Sequence, residues 1–476
     1  MTDVTASHPP SAARLFSLLA LTVALASGAG CTTYRDQAQS ATMQWQAGNF
    51  QGAAQEFTRG SNKQRDAIIW RLEQGAALRA SWRYLESNAA FDAAEARIEQ
   101  FDAGPRVHLG SEAAALISNL ANLPYEGRGY DRVMLNTYKA LNHLQLGEPD
   151  KARVEFNRVL KRQEESRALK ERRIQRAESE LASLQPPVRD AVRQAREHPQ
   201  LRTALGGEGA FPGRFKAEGL YVNPFATWAY GLFHLAHAGD GADLERAHKA
   251  FEQALAAAPE KRFVKADLDL VKSRMAGQPM PAMTWVVFET GRAPMRDEVK
   301  VEVPLFVTRL SYIGMAFPKL VFLENFASSL TVTAGGVTET TGVVADLDAI
   351  VARDFQDELP AIVTKTLVSA ALKATATYTI NTEAEHRGDF TAFIAKLGTA
   401  LTQMAINVAD TRTWTTLPKQ VQIARVPTPP DRKLALYAPA SGQRADVTVG
   451  GGRVNIVFVK SITPNTPMLV SHATLP

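Results

Sequence analysis

Three groups of residues in this chain have the types and spacing for chemistry. His234 and His237 stand three apart on one predicted helix with Asp240 beyond, a spacing that could ligate a metal. Their neighbours Leu232, Phe233 and Leu235 are apolar, which favours histidines with structural partners, so no metal site is assigned. The run Asp410-Thr411-Arg412-Thr413-Trp414 puts an acid, a guanidinium and an indole on one face if it is extended. An ion pair with cation–π stacking there would pin the end of a preceding helix to a sheet. The carboxylate pairs Asp346/Asp348 and Asp357/Glu358 read as helix-end and solvent-facing charges. Gly450-Gly451-Gly452 opens no helix and reads as a hairpin turn, not a phosphate cradle. No G-x-S-x-G, S-x-x-K, P-loop or H-E-x-x-H occurs, so no catalytic residue and no cofactor is assigned.

The most informative single residue is Cys31, the only cysteine in 476 residues. It follows an apolar run, Leu15 to Ala26, and the small residues Ser27, Gly28, Ala29 and Gly30. That run is too short for a bilayer, which needs roughly 20 helical residues, and fits the h-region of a signal peptide. Leu-Ala-Ser-Gly-Ala-Gly-Cys resembles a lipobox, with Gly28 in the place that usually holds leucine. The expectation is a signal peptide over 1–30 and lipidation of Cys31. Thr32 after the cysteine resembles the sorting pattern for the outer membrane of a Gram-negative cell, with the body facing the periplasm.

The elements that would position these groups fall into two textures. Loss of residues 1–30 removes Asp3 and Arg14, which cancel, so the net charge of +5 persists. That is mild for this length and argues against nucleic-acid binding. Residues 31–276 read as a helical domain of tetratricopeptide (TPR)-like pairs, in which small residues let helices approach and aromatics fill the gaps. The best copy is Ala247, Phe251, Ala254 and Pro259; Gly147, Ala152 and Phe156 repeat it after Tyr138, Ala140 and Leu144. Weaker copies are Phe50, Ala53 and Phe57, then Phe91, Ala94 and Ile98. A charged helical insert near 158–200 reads as solvated, with opposite charges at i,i+4 spacing. It is broken at Pro186-Pro187 and followed by a Gly/Pro/aromatic loop from Gly206 to Phe225.

After Pro281 the texture becomes β-rich, so residues 282–476 read as an α+β domain. Runs at 285–289, 299–307, 312–317, 330–333, 434–437, 445–449 and 454–460 predict strands. A helix pair interrupts them: one stripe from Leu347 to Ala371 with a kink or break at Pro360, another from Phe390 to Val408. The fold class is thus α+β and multidomain, with a TPR-like first half and a sandwich-like second half.

Several motifs carry a resemblance. Pro124-Tyr125-Glu126-Gly127, Asn136 to Asn142, Tyr221 to Phe225, Ala316-Phe317-Pro318-Lys319 and Asp410 to Pro418 resemble a group of uncharacterised bacterial lipoproteins with TPR-like N-terminal repeats. The resemblance runs through most of the chain and implies location more than activity, with a weaker link to regulation of cell-wall synthesis. The function expected is a cell-envelope scaffold, held to the membrane by its N-terminal lipid, that binds a protein partner in a concave helical groove. Tyr125, Glu126, Asn136, Tyr138, Asn223 and Phe225 are the groove candidates, because aromatics give contact area and Asn pairs with extended backbone. An enzyme acting on peptidoglycan or its precursors and a purely structural envelope component are the alternatives.

Overall fold

The computed structural model describes residues 33–103, 120–205, 222–303, 313–386 and 408–475. Cys31 and the signal segment, most of the loop after Gly206, Pro304 and nearly all of the 390–408 stripe lie outside them. The described chain is mixed α and β, with helices first and sheets after.

The helices begin as antiparallel hairpins: α1 (Tyr34–Gln46) with α2 (Phe50–Gly60), and α3 (Ala67–Ala80) with α4 (Tyr84–Ala103). Next come α5 (Gly129–Gln145) with α6 (Pro149–Ala182), then the short α7 (Pro186–Arg196) and α8 (Pro199–Ala204). The last pair is α9 (Pro224–Ala236) with α10 (Gly241–Ala257), followed by α11 (Arg262–Met275). Small residues do set the crossings. A Cβ on Gly75 of α3 would lie 2.4 Å from the Phe91 ring of α4, and one on Gly231 of α9 would lie 3.0 Å from Phe251 of α10. Polar side chains start the helices: Asn223 accepts the N–H groups of Phe225 and Ala226, and Asp240 those of Ala242 and Asp243. The charged insert comprises the outer part of α6 followed by α7, which Pro186 and Pro187 open as expected. It is not wholly solvated, since Arg162 and Lys170 are buried against neighbouring helices.

The strands are β1 (Met283–Thr290), β2 (Met295–Val303), β3 (Ile313–Val321), β4 (Thr331–Ala334), β5 (Val337–Thr340) and β6 (Gly342–Asp346). After α12 (Leu347–His386) follow β7 (Gln420–Pro427), β8 (Lys433–Ala438), β9 (Gln443–Thr448), β10 (Val454–Ser461) and β11 (Leu469–Leu475). One sheet runs β11-β10-β1-β7-β6, with β1 and β10 parallel; another runs β5-β4-β8-β9; β2 and β3 form a separate ribbon. Pro318 lies in that ribbon, where both strands are edges among the described strands, a place that tolerates its missing donor. Two expectations are corrected. The Gly450–Gly452 run joins β9 to β10, which belong to different sheets, so it is a crossing and not a hairpin turn. Of the kink or break expected at Pro360, the break is absent, since α12 continues through it.

The apolar core does not stop at the boundary near 277–281. One cluster runs from Tyr34 to Leu475, and Asp267 of α11 ties the halves together. It accepts the indole N–H of Trp228 (α9) at 2.8 Å and of Trp285 (β1) at 2.9 Å, and pairs with Arg425 (β7) at 3.0 Å.

Candidate functional site

The inner side of the helical array faces the β half, and the segment from Ala409 to Leu417, irregular as far as Trp414 and turning at Thr415 and Thr416, lies along it. Glu73, fully buried on α3, holds that segment by its backbone: it accepts the Thr415 N–H at 2.7 Å, the Thr415 hydroxyl at 2.8 Å and the Thr416 N–H at 3.0 Å. Burial raises the Glu73 carboxyl to about 7, against the lowering effect of those donors. Trp414 inserts between Phe91 of α4 and Tyr138 of α5, with ring centroids 5.9 Å from each. Thr413 shares a hydrogen bond with Tyr130 at 3.2 Å.

This arrangement corrects the groove reading. Tyr125, Asn136, Tyr138, Asn223 and Phe225 are all buried, and Glu126 alone is partly exposed. The Asn136 amide donates to Glu95 and Glu155 at 2.8 Å each, inside a charge cluster completed by Lys139. Tyr138 donates to Glu289 of β1 at 3.4 Å. Asn223 caps α9, and Phe225 stacks near Trp228. Side chains chosen to meet a partner's backbone meet the chain's own helices and sheet instead.

Tyr125 and Glu126 do border a cleft, with a volume of about 170 Å³, where the 120–128 stretch, α6, β2, α12 and the 409–417 segment meet. Its floor is a guanidinium cluster. Glu358 of α12 is ion-paired with Arg128 (3.5 Å), Arg296 (3.3 Å) and Arg173. Burial alone would raise the Glu358 carboxyl, but those three arginines outweigh it and hold the group well below the usual carboxylate range. Arg412 binds Asp410 at 2.7 Å, Asp66 at 2.9 Å and the carbonyls of Leu123 and Leu120. Tyr125 lies between guanidiniums, with Arg128 5.2 Å and Arg412 5.4 Å from its ring centre, and donates to Asp131 at 2.5 Å.

The Asp410–Arg412 pair is therefore present, but its aromatic partner is Tyr125 and it anchors to the helical half. Glu358 is not solvent-facing, and neither is Asp348, which pairs with Lys419 and whose carboxyl burial raises to about 7. His234 is buried and meets Asp243 at 2.9 Å, while His237 meets the Phe233 carbonyl. Among the described residues no group of three His, Cys, Asp or Glu could hold a metal, and no helix is long and apolar enough to cross a membrane.

A second feature lay outside the sequence reading. Trp82, in the α3–α4 turn, is 54% exposed and has φ +59°, a left-handed conformation that side chains other than Gly, Asn and Asp rarely adopt. Leu85, three residues on, is 67% exposed. Trp82 borders a small crevice with Arg79, Tyr84, Phe458 and residues Leu469 and Ser471 of β11. That strand pairs with β10 alone among the described strands and so forms the edge of its sheet. No protein-family model matches the chain, and no curated protein matches it.

Proposed function

We propose that the chain is a cell-envelope lipoprotein, anchored through Cys31, that acts as a protein-binding scaffold rather than through catalysis. Its hairpins are TPR-like units, and its five- and four-stranded sheets are the layers of a sandwich-like module that fills their concave side. The partner is an extended segment of another envelope protein, and it docks on the outer edge formed by β11, Trp82 and Leu85.

The observation that carries this reading is Trp82: a large exposed aromatic held in a strained backbone conformation beside a sheet edge that no further described strand covers. Such strain persists only when surroundings enforce it, and it concentrates at functional positions. An edge strand offers unmatched N–H and C=O groups, to which an extended peptide can add as a further strand, with neighbouring pockets reading its side chains. Link to cell-wall synthesis is part of the same proposal and rests on the family resemblance.

The test is capture from crosslinked envelopes of full-length protein, compared with Leu85→Asp and Trp82→Ala. A specific partner lost in both variants supports the reading; one retained by both overturns the edge as its site. Anchoring is checked by replacing Cys31 with Ser: release from the membrane fraction is expected, and unchanged processing and membrane retention would contradict lipidation.

A further inference from the structure

The cleft beside Tyr125 has more donors than its own acceptors use. Six cationic side chains line it (Arg128, Arg173, Arg176, Arg296, Arg412 and Lys365), and they outnumber the lining carboxylates Glu126, Glu180, Glu358 and Asp410 by two. Behind the wall Asp66 pairs with the lining Arg412 at 2.9 Å and reduces that surplus to one, while Asp131 accepts from Tyr125 and Asp354 pairs with Lys170. Within the cluster three guanidiniums from three elements share the single carboxylate of Glu358.

Two of those groups are left incomplete. The buried Nε–H of Arg296 makes no hydrogen bond, that of Arg128 faces the Glu358 carboxylate at 3.5 Å without forming one, and both side chains are at least nine-tenths buried. Buried donors without acceptors are uncommon in folded proteins and call for a ligand or an ordered water. Nearer the mouth, Arg176 is half-exposed and its Nε meets Glu180 at 3.3 Å. Leu120, Leu123, Pro124, Ala361 and Ile362 supply an apolar wall opposite the charges.

We propose that this cleft is a binding site for the phosphate group of a small phosphate ester. Where a carboxylate offers two coplanar oxygens, a phosphate ester offers three that point in different directions. Its oxygens can accept from guanidiniums converging from different elements, the geometry for which arginine is favoured in phosphate recognition. The volume, about 170 Å³, is below the roughly 300–1,000 Å³ of drug-sized pockets, so it holds the phosphate and a short apolar portion and not a nucleotide. Because the cleft opens to solvent, the rest of a larger molecule can project outward, and the phosphate can belong to a soluble ester or to a lipid headgroup. The site is independent of the β11 edge.

The experiment is calorimetric titration of the full-length protein in detergent with phenyl phosphate and, separately, benzoate, at low ionic strength. Phenyl phosphate should bind and benzoate should bind at least tenfold more weakly. Arg176→Ala removes a half-exposed side chain and should fold normally while weakening phenyl phosphate about tenfold, the worth of one charge-assisted hydrogen bond. Ala361→Phe, which narrows the cleft without removing a charge, should reduce binding too. Competition with vesicles separates the sources: displacement by phosphatidate but not phosphatidylcholine assigns a headgroup, and no displacement assigns a soluble ester, the site standing in either case. Absence of phenyl phosphate binding, equal affinity for benzoate, or unchanged affinity in the folded Arg176→Ala protein overturns it.

Discussion

Replacing Glu73 with Gln tests whether one buried carboxylate fastens the 409–417 segment to the helical array. Its two oxygens accept from the Thr415 and Thr416 N–H groups and the Thr415 hydroxyl, so a Gln side chain in either orientation turns an N–H toward a donor. One hydrogen bond is lost and one buried donor is left without an acceptor, a loss of about 1–3 kcal/mol. The pH dependence sharpens the test. The unfolded carboxyl titrates near the ordinary value of 4.5 and the folded one near 7, so the unfolded state releases its proton first. The native protein therefore loses stability as pH rises through that window, by about 3 kcal/mol at most, and Gln has no such titration. The difference between native and Glu73→Gln proteins should be largest near pH 5 and should shrink, or reverse, by pH 8. Urea unfolding at both pH values measures it, and exchange of the Thr415 and Thr416 amides should quicken in the variant near pH 5. An unaltered midpoint at pH 5, or a difference that widens toward pH 8, would refute the clamp.

Three further outcomes follow from named contacts. Asp267→Ala leaves the indoles of Trp228 and Trp285 and the Arg425 guanidinium without their shared acceptor; a loss of about 3–5 kcal/mol is expected by denaturant unfolding, with helical and β signals falling together. Gly75→Ala forces a methyl group into the Phe91 ring and should destabilise by about 1–3 kcal/mol in the same assay. Trp82→Gly relieves a left-handed backbone and should leave stability unchanged or raise it by up to about 1 kcal/mol, while partner capture falls; a clear drop in melting temperature would show a packing role.

The helical pairs were legible because their signal is local. Phe91, Phe156 and Phe251 each stand about one helical turn from an alanine, Ala94, Ala152 and Ala247, and each ring is fully buried. Strands such as β1 and β10 were legible for the same reason, as runs of β-branched and aromatic residues. The filling of the inner face was not, because Glu73 and Thr415 lie 342 residues apart and neither carries a mark of the other. The groove candidates illustrate the consequence: Tyr138 and Asn136 have the chemistry of a peptide-binding surface, and the chain's own distant segments use it. Asp357 and Glu358 look alike in sequence, yet the helix turns Glu358 inward to three arginines while Asp357 stays nearer the surface. Trp82 was invisible for a different reason, since a left-handed tryptophan has no sequence signature.

The most direct test of the account is site-specific photocrosslinking in living cells, with the photoreactive residue placed at position 82 or at position 138. An adduct at 82 that disappears in the Leu85→Asp background, with none at 138, is the predicted result. An adduct at 138 and none at 82 would mean that the inner face opens to a partner, and would contradict both its occupation by residues 409–417 and the outer edge as the docking site.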